Sequence, residues 1–193
     1  MRRARSIRAA AAIVAAALAV VAHAEPARYK IDSDHTYPSL EFPHMGISTW
    51  RGKFTKSRGA IVLDRAAKSG SVDVVVQAAS IDFGHRTMNE VAMSPEWLNV
   101  EMHPTLRYQG EIRFEGEAPV AVEGRLTLLG VTRPVALRIG AFHCIRHPLL
   151  RREVCGADAA GTLDRAEFGM KELTANGAGT ITLRIQVEAL RED

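Results

Sequence analysis

The sequence predicts an all-β fold made of about eight antiparallel strands. Most segments after residue 25 alternate apolar and polar side chains with a period of two, as in Val122–Leu128 and Ile181–Glu188. Turn-forming pairs such as Ser33-Asp34 and His147-Pro148 separate these segments. With about eight strands, a closed barrel has an interior that side chains just fill or that holds one small ligand.

The first 24 residues have the composition of a secretory signal peptide. Met1–Arg8 carries four arginines and no acidic residue, an unbroken apolar stretch follows over Ala9–Ala22, and Ala22-His23-Ala24 has the small-x-small pattern of a cleavage site. The apolar stretch is shorter than the roughly 20 residues that a membrane-spanning helix needs. We therefore predict general secretion, cleavage after Ala24 and a periplasmic location. The alternatives are an uncleaved membrane anchor and twin-arginine export.

Residues 25–193 have the length of a single domain, and no linker divides them. No second apolar segment is long enough to span a membrane, so we expect no stable membrane insertion after signal cleavage. Loss of the four leader arginines from the chain's 25 basic residues leaves 21 basic against 22 acidic side chains, a net charge of −1. This charge gives no electrostatic support to a nucleic-acid partner.

Gly84–Pro104 is the stretch that departs from the two-residue period. Its central residues favour a short helical segment near residues 86–94, which Ser94-Pro95 would end. Apolar residues on one side would let this helix lie across a barrel mouth. They would equally serve to seal the end of the core, and the pattern alone does not separate these alternatives.

Cys144 and Cys155 are expected to form a disulfide, because thiol pairs tend to close in an oxidising compartment. Closure of this small loop would contribute roughly 3 kcal/mol to stability. Two reduced core cysteines, or one nucleophilic cysteine, remain as alternatives.

The histidines do not have the spacing of a metal site. His143 and His147 would lie roughly 13 Å apart in a strand, and Asp32, Asp34 and His35 have the pattern of a turn rather than of a coordination sphere. No nucleophile elbow, zincin helix, phosphate-binding loop or dinucleotide fingerprint is present. We therefore predict no catalytic residues, no metal and no cofactor. A converging pair of carboxylates and a small metal- or haem-associated module stay open as alternatives.

Large apolar side chains are abundant for a domain of this size, and they either fill the barrel or line it. A packed core and an elongated apolar pocket use the same residue types. The candidates are Leu40, Phe42, Met45, Trp50, Phe54, Met88, Met93, Trp97, Tyr108, Phe114, Phe142 and Phe168.

The order of several short segments resembles that of the YceI-like family, known as polyisoprenoid-binding proteins. Each segment is weak evidence alone, but the order of the segments along the whole mature chain is fairly specific. The segments are Tyr29–Thr36 (opening strand), Trp50–Phe54 (Gly-x-Phe strand), Met93–Leu98 with His103-Pro104 ("S-x-x-F-F…Y-P"), Gly124–Val135 ("G-x-L-T-I-x-G-V-T-[KR]-P-V") and Leu163–Met170 ("I-x-R-x-x-F-G-I").

The resemblance implies an extended, lipocalin-like, eight-stranded barrel whose lumen holds a polyisoprenoid, quinone or other fatty-chain lipid, with no catalytic residues. The candidate apolar residues then become predicted ligand contacts. His85, Arg86 and Asn89 lie in the irregular segment and are predicted to meet a head group, although Arg86 could equally be an ordinary solvated residue. An enzyme that modifies such a lipid in the same cavity is the alternative function.

The sequence departs from the family pattern at the "F-F" and "Y" positions, where it has Trp97-Leu98 and His103. These departures affect the identity of the ligand more than chain binding itself. The segment from Cys144 to Cys155 resembles a subset of the family with both cysteines on a hairpin, which supports the disulfide. The resemblance also raises the expectation of a homodimer.

Overall fold

The computed structural model describes residues 25–174 and 179–193. The predicted signal peptide, residues 1–24, lies outside this range. Within the described residues, none of the helices is both long and apolar enough to cross a membrane.

An antiparallel sheet and one short α-helix make up the described chain. The strands are β1 (Ala27–Ile31), β2 (Tyr37–His44), β3 (Ser48–Phe54), β4 (Ser57–Asp64), β5 (Ser69–Gln77), β6 (Ile81–Asp82), β7 (Thr105–Glu115), β8 (Ala118–Leu128), β9 (Val131–Arg146), β10 (Glu153–Asp164) and β11 (Thr180–Arg191), and the helix is α1 (Arg86–Met93). Short 3₁₀ turns occupy Ser33–His35, Ala78–Ser80 and Arg165–Phe168.

The eleven strand segments form an eight-stranded barrel, because three pairs of consecutive segments each act as one interrupted strand. These pairs are β1 and β2, β3 and β4, and β5 and β6. β1 and β2 both pair with β11, β4 pairs with β1, and β3 pairs with β2. In the same way β5 pairs with β4, and β6 pairs with β3. The sheet closes where β1 lies between β11 and β4, with Tyr29 opposite both Arg191 and Ile61. The predicted all-β, eight-stranded antiparallel barrel is confirmed.

The three interruptions lie side by side, and two serine side chains bridge them. The Ser33 hydroxyl accepts a hydrogen bond from the Ser57 amide (3.2 Å), and the Ser80 hydroxyl accepts one from the Lys56 amide (3.1 Å). The backbone carbonyl of Ser80 also accepts from the Thr55 amide (3.0 Å). These bonds replace ladder contacts that the bends remove, so the backbone stays satisfied where three neighbouring strands change direction.

The predicted helical segment is confirmed as α1. The His85 ring caps its first turn by accepting a hydrogen bond from the Met88 amide (3.2 Å). Ser94 is extended and ends the helix, as expected for a residue that precedes proline. Of the helical residues, Ala92 is buried.

The two ends of the barrel differ. The end that carries α1, the β2–β3 turn and the β10–β11 connection is called here the helix end. The opposite end carries the β4–β5, β7–β8 and β9–β10 turns and is called the hairpin end.

A polar cluster lies against the wall at the hairpin end. The Tyr29 hydroxyl donates to a Glu153 carboxylate oxygen (2.9 Å), and Arg65 donates to the other oxygen (2.8 Å) and to the tyrosine oxygen (3.2 Å). The same guanidinium contacts both sulfurs of the Cys144–Cys155 disulfide. The predicted disulfide is therefore present, and it joins directly opposite residues of β9 and β10.

The ring of Tyr108 lies over Gly124, a position that leaves no room for another side chain. Its hydroxyl donates to the Val135 carbonyl across the sheet (2.9 Å). Burial raises the pKa of Tyr108, so the hydroxyl keeps its proton. A methyl group at residue 124 would overlap the ring and the hydroxyl.

We expect Gly124→Ala to lower the free energy of unfolding by about 2–3 kcal/mol, because the tyrosine must leave its site and its hydrogen bond. Gly140→Ala is the matched control, since the nearest atom to an added methyl at that position is the Asp158 carbonyl oxygen at 3.9 Å. Denaturant unfolding of both variants measures the difference. Equal losses in the two variants would contradict the packing described for Tyr108.

The Glu153 cluster predicts a pH-dependent contribution to stability. Desolvation alone would raise the pKa of the Glu153 carboxyl, but hydrogen bonds from Arg65 and Tyr29, with the nearby guanidinium charges, outweigh it and hold that pKa below its ordinary value. A depressed folded-state pKa stabilises the protein above the unfolded-state pKa, and the contribution disappears as pH falls through the folded-state value.

We therefore expect Glu153→Gln to destabilise the protein at pH 7, with a difference from wild type that shrinks as pH is lowered below about 4, near the ordinary pKa of glutamate. Unfolding curves at a series of pH values measure this difference. Glu117→Gln is the control: its carboxylate is 84% exposed and pairs with Lys68, so its removal should change stability little at any pH. A Glu153→Gln difference that is independent of pH would disprove the assigned charge interaction.

Candidate functional site

The barrel encloses an elongated cavity of about 780 Å³. Its lining runs from Tyr29 and Leu63 near the hairpin end, past Tyr108 in the middle, to Met45 and Leu173 at the helix end. Met45 is 82% and Leu173 is 77% exposed, so the cavity reaches the surface at the helix end. We call this opening the mouth.

The hairpin end of the cavity is sealed. Tyr29 is 1% and Leu63 is 4% exposed, and Cys155 and Ala189, which also line this end, are 6% and 2% exposed. Among the described residues, the cavity is therefore a blind tube, open at the helix end and closed by buried side chains at the hairpin end.

The wall of the tube is apolar almost throughout. The side chains with N–H or O–H groups in the lining are those of Tyr29, Thr36, His44, Trp97, Tyr108 and Arg165. All three hydroxyl groups already donate within the protein: Tyr29 to Glu153, Thr36 to the Glu188 carbonyl and Tyr108 to the Val135 carbonyl. No aspartate or glutamate is among the lining residues in the described part of the chain.

Arg165 is the charged member of the lining, and it is 5% exposed. Its guanidinium stacks on the ring of Trp97, 4.6 Å from the centroid, and donates to the carbonyl oxygens of Met170 (3.0 Å), Glu172 and Leu173 (3.1 Å). Desolvation lowers the pKa of Arg165, but the three carbonyl acceptors give its charge a polar environment. The side chain thus fastens the β10–β11 connection at the mouth.

Several residues predicted from the sequence as ligand contacts do line the cavity. Their contact with a ligand stays a prediction. They are Leu40, Phe42, Met45, Phe54, Met88, Trp97, Tyr108 and Phe142.

The other predicted contacts lie outside the cavity lining of the described chain: Trp50, His85, Arg86, Asn89, Met93, Phe114 and Phe168. Trp50 packs edge-on against Phe83 and His85, with ring centroids 6.1 Å and 5.8 Å away. Phe168 is 1% exposed and belongs to the packed core. Trp50 and Phe168 thus pack behind the mouth and the wall rather than facing the cavity.

The three predicted head-group residues surround the start of α1. Asn89 accepts from the Phe83 amide (2.8 Å) and donates to Asp82 (3.1 Å), so its amide group fixes the loop before the helix. The side chain of Arg86 is 91% exposed and pairs with Glu90. Arg86 therefore keeps freedom to move, whereas Asn89 does not.

The sequence analysis selected candidate contacts among large side chains, and it therefore missed the smaller aliphatic residues of the cavity wall. Each occupies an inward position of a strand, and the two-residue period was the signal that marks it. Examples are Val72, Val74, Leu126, Leu137, Leu183 and Ile185. Arg165 was also missed as a cavity residue, although it lies within the segment that resembles "I-x-R-x-x-F-G-I".

The histidines of the described chain form no cluster of the kind that the metal alternative requires. Within residues 25–174 and 179–193, the group of His, Cys, Asp and Glu side chains close enough to hold an ion is Cys144, Glu153 and Cys155. Both of these sulfurs are joined in the disulfide. His35 instead pairs with Asp32 (2.9 Å) at the β1–β2 bend.

Known structures with the same architecture cover most of the chain. BcnA of Burkholderia cenocepacia superimposes with a TM-score of 0.67 at 20% identity, over 82% of this chain and 99% of that one. A structure described as a polyisoprenoid binding domain from Saccharophagus degradans, implicated in plant cell wall breakdown, gives a TM-score of 0.59 at 12% identity, over 85% and 98% of the two chains. At these identities the likeness concerns the fold.

Sequence comparison extends over nearly the whole length. A UPF0312 protein of Pseudomonas paraeruginosa is 28% identical over 187 residues, which are 95% of this chain and 97% of that protein. The sequence profile of the YceI-like domain matches residues 29–189, and the protein therefore belongs to the YceI-like domain family.

Proposed function

We propose that the protein is a periplasmic carrier that holds one long apolar chain, a polyisoprenoid, quinone tail or fatty-chain lipid, in its barrel. The observation that carries this proposal is the blind apolar tube of about 780 Å³ with its mouth at the helix end. This volume lies within the range of about 300–1,000 Å³ that is typical of ligand pockets. The description of the Saccharophagus domain as polyisoprenoid-binding supports the same class of ligand.

A long chain suits this wall better than a compact polar ligand. Each methylene removed from water contributes roughly 0.8 kcal/mol, whereas a polar group would have to give up hydration beside a wall with few free partners. A lipid chain comes from a membrane rather than from water, so binding requires only that the barrel wall be as favourable for the chain as the membrane interior is. Close contacts from a preformed wall achieve this without an ordering cost for the protein.

The ligand's polar end would lie at the mouth, because the hairpin end is sealed. His44 lines the cavity there, and Arg86 stands nearby on α1 with a side chain that is 91% exposed. We propose that Arg86 leaves Glu90 to meet an anionic or carbonyl-bearing head group. Asn89 contributes by holding the loop before α1 in place.

Binding is favoured over catalysis because the described lining brings no carboxylate into the tube and places His44 at its mouth. Proton transfer needs a positioned acid or base at the reacting atom. Export by the leader over residues 1–24, followed by folding of residues 25–193 as one domain, is part of the proposal. A closed disulfide suits an oxidising compartment such as the periplasm.

Native mass spectrometry of the exported protein, followed by organic extraction, tests the carrier proposal. We expect one long-chain lipid or quinone per barrel, lost on extraction and identified in the solvent phase. An empty protein that also fails to take up added polyprenyl lipids would disprove the proposal.

A pair of neighbouring substitutions tests whether the tube is the binding site. Val74 lines the cavity, whereas Val75 is the next residue of β5 and is absent from the lining. We expect Val74→Trp to shorten the accommodated chain or to lower lipid occupancy at least about tenfold, because a bulky ring in mid-tube displaces several methylenes. Val75→Trp should keep wild-type occupancy. Equal occupancy in both folded variants would place the ligand elsewhere.

A further inference from the structure

The end of the β9–β10 hairpin projects from the barrel. The β8–β9 ladder stops at Ala121 opposite Arg138, but β9 continues to Arg146. Beyond residue 138, β9 pairs only with β10 in the described chain. We call the outer part of this hairpin, residues 145–152, the arm tip. It lies at the hairpin end, opposite the mouth.

The arm tip combines exposed apolar residues with positive charge. Leu149 is 84% exposed, and Ile145 and Leu150 are each 53% exposed. The same eight residues include three arginines and no acidic residue. The predicted mature chain is nearly neutral as a whole, so the charge is concentrated locally.

The arginines of the arm tip are not neutralised by close carboxylates. Within the described residues, neither Arg146 nor Arg151 has an ion pair, and the side chain of Arg146 donates to the Arg151 carbonyl (2.9 Å). Arg152 has a distant partner in Asp193 (3.9 Å), whose side chain is 89% exposed. Glu153, the nearest acidic residue along the strand, is already bound by Arg65 (2.8 Å).

The turn at the arm tip is internally bonded, so its leucines are displayed by an ordered backbone. The His147 amide donates to the Arg152 carbonyl (2.7 Å), and the Arg151 amide donates to the His147 carbonyl (2.9 Å). The His147 ring accepts from the amides of Leu149 (3.2 Å) and Leu150 (3.1 Å). The Cys144–Cys155 disulfide joins the two strands directly at the base of the arm tip. A preformed tip of this kind loses little conformational entropy when it binds.

We propose that the arm tip docks on an anionic phospholipid surface. Leucines beside arginines are the combination that places apolar groups at the boundary of head groups and acyl chains while guanidinium groups bind phosphates. The choice of a lipid surface over an acidic protein rests on the exposed aliphatic side chains of Ile145, Leu149 and Leu150, because they gain from contact with acyl chains whereas only the arginines would gain from an acidic protein surface. Docking through the sealed end would leave the mouth free, so the protein could bind the surface and take up its lipid in separate steps.

Vesicle flotation of the exported protein tests this proposal. We expect the protein to float with phosphatidylglycerol–phosphatidylcholine vesicles at low salt, to remain unbound with pure phosphatidylcholine vesicles, and to be released as salt is raised. Arg151→Gln should lower the partition coefficient about fivefold, and the Arg146→Gln/Arg151→Gln pair about 25-fold. Leu149→Ser should lower it about tenfold.

Matched controls lie at the other end of the barrel. Ile47 is 81% exposed in the β2–β3 turn, and Arg133 is exposed near the start of β9. Ile47→Ser and Arg133→Gln should bind vesicles as wild type does. Absence of binding to anionic vesicles, or equal losses in the control variants, would overturn the proposal.

Sedimentation velocity of the same variants without lipid tests whether the arm tip instead binds a second copy of the protein. If Leu149→Ser converts a dimer to a monomer and leaves vesicle binding unchanged, the arm tip is a self-association surface and the proposal is wrong. Native mass spectrometry of each preparation separates this result from the carrier function. Vesicle binding by a protein that is empty and takes up no added polyprenyl lipid would support docking and contradict the carrier. A loaded protein that does not bind vesicles would support the carrier and contradict docking.

Discussion

Closure of the sheet through β1 is the constraint on which the cavity depends. β1 is five residues long, yet it pairs with β11 on one side and β4 on the other. Once eight strands are closed, the width of the interior is set, and the size of the inward side chains decides whether it is filled or hollow. At many inward positions this chain has valine, leucine or alanine rather than an aromatic residue, for example at Val72, Val74 and Ala159. The interior therefore stays open as a tube.

The same closure explains why the barrel is sealed at one end only. At the hairpin end, Tyr29 of β1 is drawn against Glu153 and Arg65, and the hydroxyl is bonded there instead of facing the lumen. At the helix end, β2 follows β1 after a bend and pairs with β3. Helix α1 and the β10–β11 connection surround the opening there. Arg165 holds that connection through three carbonyl groups, so a buried charge shapes the mouth of an apolar cavity.

The sequence predicts the parts of this structure whose causes are local. Alternation of side chains marks strands such as β8 and β11, and the proline after Ser94 marks the end of α1. The bends in three strands were not predicted, because Ser33 and Ser80 bridge residues more than 20 positions away along the chain. Selection of candidates by size favoured aromatic residues, so it included the core residue Phe168 and passed over wall residues such as Val74. Inward direction, rather than side-chain size, is what places a residue on the cavity.

The two ends of the barrel differ in their exposed charges, and this difference would decide how a carrier of this shape is oriented on an anionic surface. The mouth is bordered by exposed apolar residues such as Met45 and Leu173, and Lys171 and Glu172, which precede Leu173, carry charges of opposite sign. The arm tip has exposed leucines beside three arginines, of which only Arg152 has an acidic partner, Asp193 at 3.9 Å, among the described residues, and it projects from the sealed end. Electrostatic attraction to an anionic surface would therefore orient the molecule with its sealed end inward and its mouth outward. In that orientation a lipid would pass through the mouth on the side away from the attached surface, so the proposed attachment would hold the molecule in place without blocking exchange of the proposed ligand.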